Sequence, residues 1–234
     1  MLSRPLTVTY DAHDPVRLAR FWAGLLHREV VEEATGGVHL PGTDTQLGLR
    51  FTPGATGKSG PNRMHLHLTS TDPDDQQRQV ATALDLGGTT LDVGQRPEER
   101  HVVLADPEGN EFCVIGPGNS FLAGCGPLGE IACDGHRAVG LFWSAALGWP
   151  LVWDQDEETA VQSPHGGTKV AWGGPPVTPK RGRNRQRFDL VPAGDPRAAV
   201  DRLVALGATR VEVGADGVVV LADPDGNEFG VLAG

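Results

Sequence analysis

The sequence predicts an α+β protein made of two homologous halves, each with two modules of the order strand, helix and three strands (βαβββ). A long repeat carries this prediction, because residues 103–112 read VLADPEGNEF and residues 220–229 read VLADPDGNEF. Self-similarity at a fixed spacing indicates a duplicated architecture. Two shorter motifs recur at a similar spacing: Phe21-Trp22 with Phe142-Trp143, and Asn62-Arg63 with Asn184-Arg185.

The halves join in a segment of linker composition, Gly116-Pro117-Gly118-Asn119. We therefore predict two domains, residues 1–117 and 118–234.

The first module opens with a segment rich in β-branched residues, Leu6 to Tyr10, which predicts a strand. Asp14-Pro15 then supplies an N-cap and a proline at the first helical position. Apolar residues follow at helical spacing, which indicates one buried helix face. These residues are Leu18, Phe21, Trp22 and Leu25, and the three strand segments after them are Glu29–Glu33, Gly37–Leu40 and Gln46–Phe51.

The second module repeats this order of strand, helix and three strands. A strand is predicted at Met64–Thr69, and a helix begins at Asp72-Pro73 and ends at Gly87-Gly88. The last hairpin has the chemistry of a type I turn, since Asp106, Pro107 and Gly109 occupy its first, second and fourth positions. The three strand segments of this module are Thr89–Val93, His101–Leu104 and Glu111–Ile115.

The second half follows the same order. One helix is predicted around Ala138 to Leu147, without an Asp-Pro start, and another after Asp195-Pro196, ending at Gly207. We expect the two modules of each half to form one curved sheet whose concave face is a cup, with the helices on the outer faces. Trp22 and Trp143, on their helices, are expected in the core.

Composition limits the class of protein. The net charge of −10 argues against broad nucleic-acid binding, and no apolar run approaches the roughly 20 residues of a membrane span. Three cysteines without a CxxC pair fit free thiols, and no secretory leader is expected, so we predict a soluble cytoplasmic protein. One basic stretch, expected to be a solvated loop, contains Lys180, Arg181, Arg183, Arg185 and Arg187.

The motifs resemble those of the vicinal-oxygen-chelate superfamily, which contains glyoxalases, bleomycin-resistance proteins and dioxygenases, and most closely its glyoxalase-like branch. The resemblance implies cups that bind small molecules, in some members with a divalent metal ion. It also implies an internal pseudo-dimer, while a homodimer of the whole chain stays open. The segments that carry it are residues 10–26, 62–68 and 104–112 in the first half, and 132–149, 184–190 and 221–229 in the second.

In metal-dependent relatives, the ligands project from the first strand of each module and from the last strand. The corresponding residues of the first half are Thr7 or Thr9, then His65, then Cys113, of which His65 is one clear ligand. The corresponding residues of the second half are Leu128 or Glu130, then Arg187, then Gly230. Because arginine has no lone pair to offer a metal, the resemblance predicts a degenerate site.

A shifted metal site remains an alternative. Side chains two residues apart on a strand share a face, so His65 and His67 point the same way, as do Glu111 and Cys113. His65, His67 and Glu111 would suit Zn, Ni, Mn or Fe. The favoured interpretation is a metal-free polar pocket without any cofactor, with Cys113 as a small buried apolar residue.

The second cup is expected to be charged, if its candidate ligand-binding side chains face inward. An Arg–carboxylate pair there can orient a polar ligand or brace the sheet, and bracing is favoured. The four side chains are those of Glu130, Arg187, Asp189 and Glu228.

Three functions therefore compete. The first is sequestration or metal-free binding of a small molecule. The second is a metal-dependent lyase, isomerase or dioxygenase that uses His65, His67 and Glu111 of the first cup. The third is an interaction module, which no particular feature of the sequence supports.

Overall fold

The structure is a computed structural model that describes residues 6–34, 36–54, 58, 60–96, 98–214 and 217–232. In these residues the predicted order of strand, helix and three strands occurs four times. The first module contains β1 (Thr7–Ala12), α1 (Pro15–Leu26), β2 (Val31–Glu32), β3 (Val38–Leu40) and β4 (Gly48–Pro53). The second contains β5 (Met64–Thr69), α2 (Pro73–Asp85), β6 (Thr89–Thr90), β7 (Val102–Ala105) and β8 (Glu111–Ile115).

The second half has the same composition of elements. The third module contains β9 (Leu128–Cys133), α3 (Arg137–Leu147), β10 (Leu151–Gln155), β11 (Glu158–Gln162) and β12 (Lys169–Trp172). The fourth contains β13 (Gln186–Leu190), α4 (Pro196–Ala205), β14 (Thr209–Val213), β15 (Val219–Ala222) and β16 (Glu228–Val231). None of the described helices is long and apolar enough to cross a membrane.

The helix starts explain the recurring Asp-Pro pairs. Asp14, Asp72 and Asp195 each cap a helix through the side-chain carboxylate, and a proline follows each of them in the first turn. The helix α3 lacks this start, and its N-cap residue His136 makes no capping bond through its own side chain. Asp225 Oδ2 accepts a hydrogen bond from the His136 backbone N–H at 2.8 Å, as Glu108 Oε1 does from the Asp14 backbone N–H at 2.8 Å.

The strands form two eight-stranded curved sheets, which confirms the α+β class and the pairing of modules into two cups. The choice of partners differs from the sequence prediction, which paired the modules within each half. One sheet has the order β14-β15-β16-β13-β1-β4-β3-β2 and the other the order β10-β11-β12-β9-β5-β8-β7-β6. The outer modules, first and fourth, therefore share one sheet, and the inner modules, second and third, share the other.

This correction has a physical origin in the first strands of the modules. The strand β1 pairs antiparallel with β13, and β5 pairs antiparallel with β9, so every sheet is joined between two first strands. All four first strands have similar apolar patterns, and the sequence alone does not say which two will pair. The concave faces of the two sheets are called here the outer cup (β1–β4 with β13–β16) and the inner cup (β5–β12).

The core lies between the helices and the convex faces of the sheets. In β5 the residues Met64, Leu66 and Leu68 are buried, while His65 and His67 are half-buried and point to the other face. Trp22 and Trp143 are 0% and 2% exposed, which confirms their expected place in the core.

The repeated turn sequence holds these helices on the sheets. The indole N–H of Trp22 donates to Asp106 Oδ2 at 3.3 Å, and that of Trp143 donates to Asp223 Oδ2 at 3.4 Å. Each aspartate also accepts from the side-chain amide of the asparagine four residues later, Asn110 or Asn227. The recurrence of the Phe-Trp pair and the Asp-Pro turn therefore has a structural cause, since the two motifs bond to each other.

Candidate functional site

The inner cup contains a row of polar side chains across its three central strands. His67 on β5 lies opposite Glu130 on the neighbouring strand β9 and opposite Cys113 on the other neighbour, β8. The Nδ1 atom of His67 is 2.7 Å from Glu130 Oε2. The side chains of His67 and Glu130 are 18% and 10% exposed, so the row lies low in the cup and still reaches solvent.

His67 carries a positive charge at neutral pH. Burial lowers the pKa of His67, but the hydrogen bonds with Cys113 and Glu130 and the charges of these two groups outweigh burial and raise it from 6.5 to about 9. The resulting imidazolium and the Glu130 carboxylate form an ion pair across two strands. The sequence analysis assigned His67 to the first cup and Glu130 to the second. In the structure both residues lie in the inner cup.

His65 has the opposite protonation behaviour although it shares the same face. Burial, followed by repulsion from the charge of His67, lowers its pKa from 6.5 to about 4. The two imidazole rings have centroids 5.0 Å apart and planes inclined at 55°. The inner cup therefore presents a cationic and a neutral imidazole side by side at neutral pH, and the neutral ring can both donate and accept a hydrogen bond.

A mixed aromatic and basic wall extends the inner cup. The Lys169 ammonium lies 4.1 Å from the centre of the Phe121 ring and donates to the Phe121 carbonyl. Lys169 is also the strand partner of Glu130. Phe121 makes an edge contact with Trp153, whose centroid is 5.8 Å away. Sequence reasoning missed Phe121 and Lys169, although the alternation along β12 could have placed Lys169 on the concave face.

The candidate metal triad of His65, His67 and Glu111 does not fit a metal ion. Lys58 forms an ion pair with Glu111 Oε1, and the other carboxylate oxygen accepts a hydrogen bond from the Asn62 backbone at 3.3 Å. The Nδ1 atom of His67 is occupied by Glu130. In the part of the chain that the structure describes, no three His, Cys, Asp or Glu side chains converge as a metal site would require. We therefore assign no step to a metal ion.

The outer cup is filled by an ion-pair network. Asp189 is 1% exposed and accepts a hydrogen bond of 2.5 Å from Thr9. Arg187 Nε is 3.5 Å from Asp189 Oδ1, and the Nη1 atom of the same arginine bonds to Asp11 Oδ1 at 2.6 Å. Burial raises the pKa of Asp189, and Arg187 opposes this shift. Arg187 and Asp189 therefore lie in one network with Thr9 and Asp11.

A second arginine extends the network on β4. Arg50 forms a two-point contact with Glu33, at 2.9 Å from Nε to Oε1 and 2.7 Å from Nη2 to Oε2, and lies 3.8 Å from Asp189. Gly230 on β16 lies opposite Asp189 on β13, and a side chain at position 230 would collide with the Asp189 carboxylate. Sequence reasoning missed Asp11, Arg50 and Glu33. Period-two alternation from Thr9 could have placed Asp11 on this face.

The remaining candidates lie at the margins of the two cups. Glu228 forms an ion pair of 2.6 Å with Lys180 and accepts from the Asn184 backbone, which mirrors the contacts of Glu111 with Lys58 and Asn62. Thr7 lies on β1 level with Asp189. Glu111 and Glu228 therefore hold the loops at equivalent edges.

The basic stretch is more structured than expected. Arg185 is 8% exposed at its side chain and bonds to Glu108 Oε2 at 2.8 Å, in the turn of the other half. Arg63 makes the equivalent crossing bond to Asn227 Oδ1 at 2.7 Å. The prediction of a solvated loop is therefore wrong for Arg185 and for Arg187, since both are held in the interior by carboxylates.

Cavities occur outside the cups. One of about 530 Å³ lies between the β3–β4 and β11–β12 loops and is lined in part by residues 43–47 and 163–166. Its one lining arginine, Arg202, donates to the backbone carbonyls of Ala145 and Ala146. We place the candidate site in the inner cup, because two histidines with oppositely shifted pKa values lie side by side on its concave face.

A glyoxalase-like domain model matches the chain twice, over residues 7–115 and 130–232. The chain belongs to the glyoxalase-like domain family. No functionally curated protein matches it at a significant level.

Solved structures confirm the glyoxalase-like fold over nearly the whole chain. Glyoxalase I from Zea mays matches with a TM-score of 0.64 and 15% sequence identity, covering 98% of this chain and 92% of that chain. A glutamate-to-glutamine mutant of the same maize enzyme has a TM-score of 0.66 and 14% identity, with 98% and 93% coverage. A candidate dioxygenase from Bacillus subtilis matches with a TM-score of 0.61 and 13% identity, with 96% and 83% coverage. At these identities the likeness shows the fold, and function must be argued from the two cups.

Proposed function

We propose that this glyoxalase-like protein binds a small organic molecule in its inner cup without a metal ion, and that its outer cup is a structural brace. The observation that carries the proposal is the contrast between the two concave faces. The outer cup is filled by Asp189, Arg187 and Arg50, which lie close to one another, whereas the concave face of the inner cup holds the half-buried rings of His65 and His67, of which the first is neutral at neutral pH.

The inner cup favours a ligand with a hydrogen-bonding oxygen and an apolar body. The neutral ring of His65 can donate to a carbonyl or phenolate oxygen, and the imidazolium of His67 supplies positive charge nearby. Phe121 and Trp153 offer aromatic surface on the wall. A mostly apolar pocket with a few fixed polar groups is the usual composition of a small-molecule site.

The role of the outer cup follows from its charge pairing. A ligand there would have to displace hydrogen bonds between ionised groups, which contribute about 1.5–3 kcal/mol each. Asp189 would lose its bond to Thr9 and its neighbour Arg187. Bracing therefore fits the outer cup better than ligand binding.

The assembly and location belong to the same proposal. Because modules of both halves build each sheet, one chain already contains both cups as an internal pseudo-dimer, and a homodimer is not needed to complete either. A cytoplasmic location and the lack of a nucleic-acid partner stay predictions of the sequence.

Ligand-observed NMR with a library of small carbonyl compounds, carboxylates and phenols tests the proposal. We expect hits whose signals are broadened by the wild-type protein and by a His13→Ala control, which removes an exposed histidine outside the cups. A double variant, His65→Ala with His67→Gln, should lose these hits while keeping its circular dichroism spectrum. Hits that bind the folded double variant as well as wild type would contradict the inner-cup site.

Elemental mass spectrometry of protein purified without chelator tests the metal-free part. We expect less than about 0.1 equivalent of Zn, Ni, Mn or Fe, because the donors do not converge. Near-stoichiometric metal that is lost in His65→Ala would instead support the metal-dependent enzyme.

A further inference from the structure

Cys113, His67 and Glu130 are arranged as a nucleophile, a proton donor and an orienting carboxylate. They lie on the adjacent strands β8, β5 and β9, with His67 the strand partner of both Cys113 and Glu130. The Nδ1 atom of His67 is fixed by Glu130 at 2.7 Å, which leaves the other ring nitrogen for a different partner. A thiol, an imidazole and a carboxylate in this order form the arrangement used to activate cysteine nucleophiles.

We propose that Cys113 is a nucleophile that captures small α,β-unsaturated carbonyl compounds in the inner cup, with His67 as the proton donor to the α-carbon and His65 as the hydrogen-bond donor to the carbonyl oxygen. This inference rests on the proposed function, since it names the ligand class of the same cup. It assigns Cys113 a chemical role in place of the small apolar residue expected from the sequence.

The addition balances without an oxidant or a leaving group. The Cys113 thiol gives its proton to water, and the sulfur lone pair forms a bond to the β-carbon of the ligand beside the His67 imidazolium. The C=C π electrons move to the carbonyl as an enolate, which His65 stabilises by an N–H donor. The His67 imidazolium then donates a proton to the α-carbon, which yields a saturated thioether adduct, and the neutral imidazole takes up a proton from water. The reverse steps release the ligand.

Surroundings distinguish Cys113 from the other two cysteines. All three cysteines are buried, but Cys113 is the strand partner of His67, and a thiol beside a cationic imidazole is in general the more reactive kind. Cys133 is buried, and burial raises its pKa well above the usual value. Cys125 is also buried, and burial, opposed by Lys169, raises its pKa. The chain therefore contains two internal reference thiols for the reactivity of Cys113.

Site-resolved alkylation by methyl vinyl ketone tests the proposal. The full chain, treated with EDTA, is reacted at neutral pH and quantified by peptide mass spectrometry over time. We expect Cys113 to react at least about tenfold faster than Cys125 and Cys133. His67→Gln should slow the modification of Cys113 by about tenfold or more, and the His13→Ala control should not change it.

The folding of each variant is checked, so that a slower reaction of Cys113 can be assigned to the lost side chain and not to unfolding. Circular dichroism of His67→Gln must match wild type, and in concentrated urea all three cysteines of both proteins must react at one common rate. If folded wild type modifies Cys113 no faster than Cys133, or if folded His67→Gln reacts at the wild-type rate, the proposal is wrong. A His67→Gln that does not fold is replaced by Glu130→Gln, for which we expect at least a threefold slowing, and an unchanged rate overturns the proposal.

Noncovalent binding measured by NMR distinguishes a failure of this inference from a failure of the proposed function. We expect Cys113→Ser to retain the NMR hits of the inner cup and to lose the fast adduct. If hits bind the inner cup but methyl vinyl ketone does not prefer Cys113, only the nucleophile is contradicted. If neither the hits nor the adduct occurs, the proposed function is contradicted as well.

Discussion

Replacing His67 with glutamine should remove most of the alkaline sensitivity of the fold between about pH 6 and about pH 8. The folded state holds a proton on His67 up to a pKa of about 9, whereas the unfolded chain releases it near 6.5. A group with a raised folded pKa contributes stability that is fully present below the unfolded value and is lost as pH rises through the folded value. The variant keeps a hydrogen-bonding side chain opposite Glu130 but cannot titrate.

The magnitude follows from the shift of His67 from 6.5 to about 9. Each unit corresponds to about 1.4 kcal/mol, so the full contribution at low pH is about 3 kcal/mol. Integrating the difference in bound protons gives a loss of about 2 kcal/mol between pH 6 and pH 8. Cysteine ionisation in the unfolded chain contributes mainly above this window.

Urea unfolding at a series of pH values measures this effect. Wild type should lose about 2 kcal/mol of unfolding free energy across the window in excess of any loss in His67→Gln. The difference between the two proteins cancels the titration of groups that they share. Parallel pH profiles would refute the reasoning, because they would mean that His67 is neutral in the folded state or that Glu130 does not hold it.

Four further outcomes are expected. As pH falls from 7 to 5, the unfolding free energy of His65→Gln, measured in urea, should rise by about 2 kcal/mol relative to that of wild type. The reason is that the folded wild type resists a proton on His65, whose pKa is lowered to about 4, whereas its unfolded chain accepts that proton. The same pH dependence below pH 7 in both proteins would contradict this. Gly230→Ala should cost about 1–3 kcal/mol through its collision with Asp189, whereas Gly194→Ala, with open space around its added methyl, should change stability by less than about 0.5 kcal/mol; equal effects in thermal unfolding would contradict the filled outer cup. Asp106→Ala should cost about 2–4 kcal/mol in the same assay, because it leaves the Trp22 indole and the Asn110 amide without their acceptor; a loss below about 1 kcal/mol would refute the turn-to-helix bond. EDTA should leave the Tm within about 1 °C, and a fall of several degrees would show a structural metal ion.

Much of the fold could be predicted because its signals are local. Asp14, Asp72 and Asp195 cap their helices as the Asp-Pro pairs indicate, since an N-cap requires only neighbouring backbone groups. Alternation along β5 correctly placed His65 and His67 on one face. The buried indoles of Trp22 and Trp143 follow from their spacing on apolar helix faces.

The distribution of residues between the cups could not be predicted. It depends on which first strands pair, and this long-range choice placed Glu130 beside His67 and Arg187 beside Thr9. The charged contents of the outer cup were missed for a related reason. Arg50 and Glu33 carry no motif, and their contact becomes visible only when β4 lies next to β1. Local pattern predicts the modules, and the pairing of modules determines the site.

Crystallographic screening with soaked small carbonyl compounds tests most directly whether the inner cup is the binding site. The account predicts ligand density on the concave face of β5, β8 and β9, with an oxygen within hydrogen-bonding distance of His65 and the ion pairs of Arg187 intact. Density between Arg187 and Asp189, with the outer network opened, would show that the roles of the two cups had been reversed.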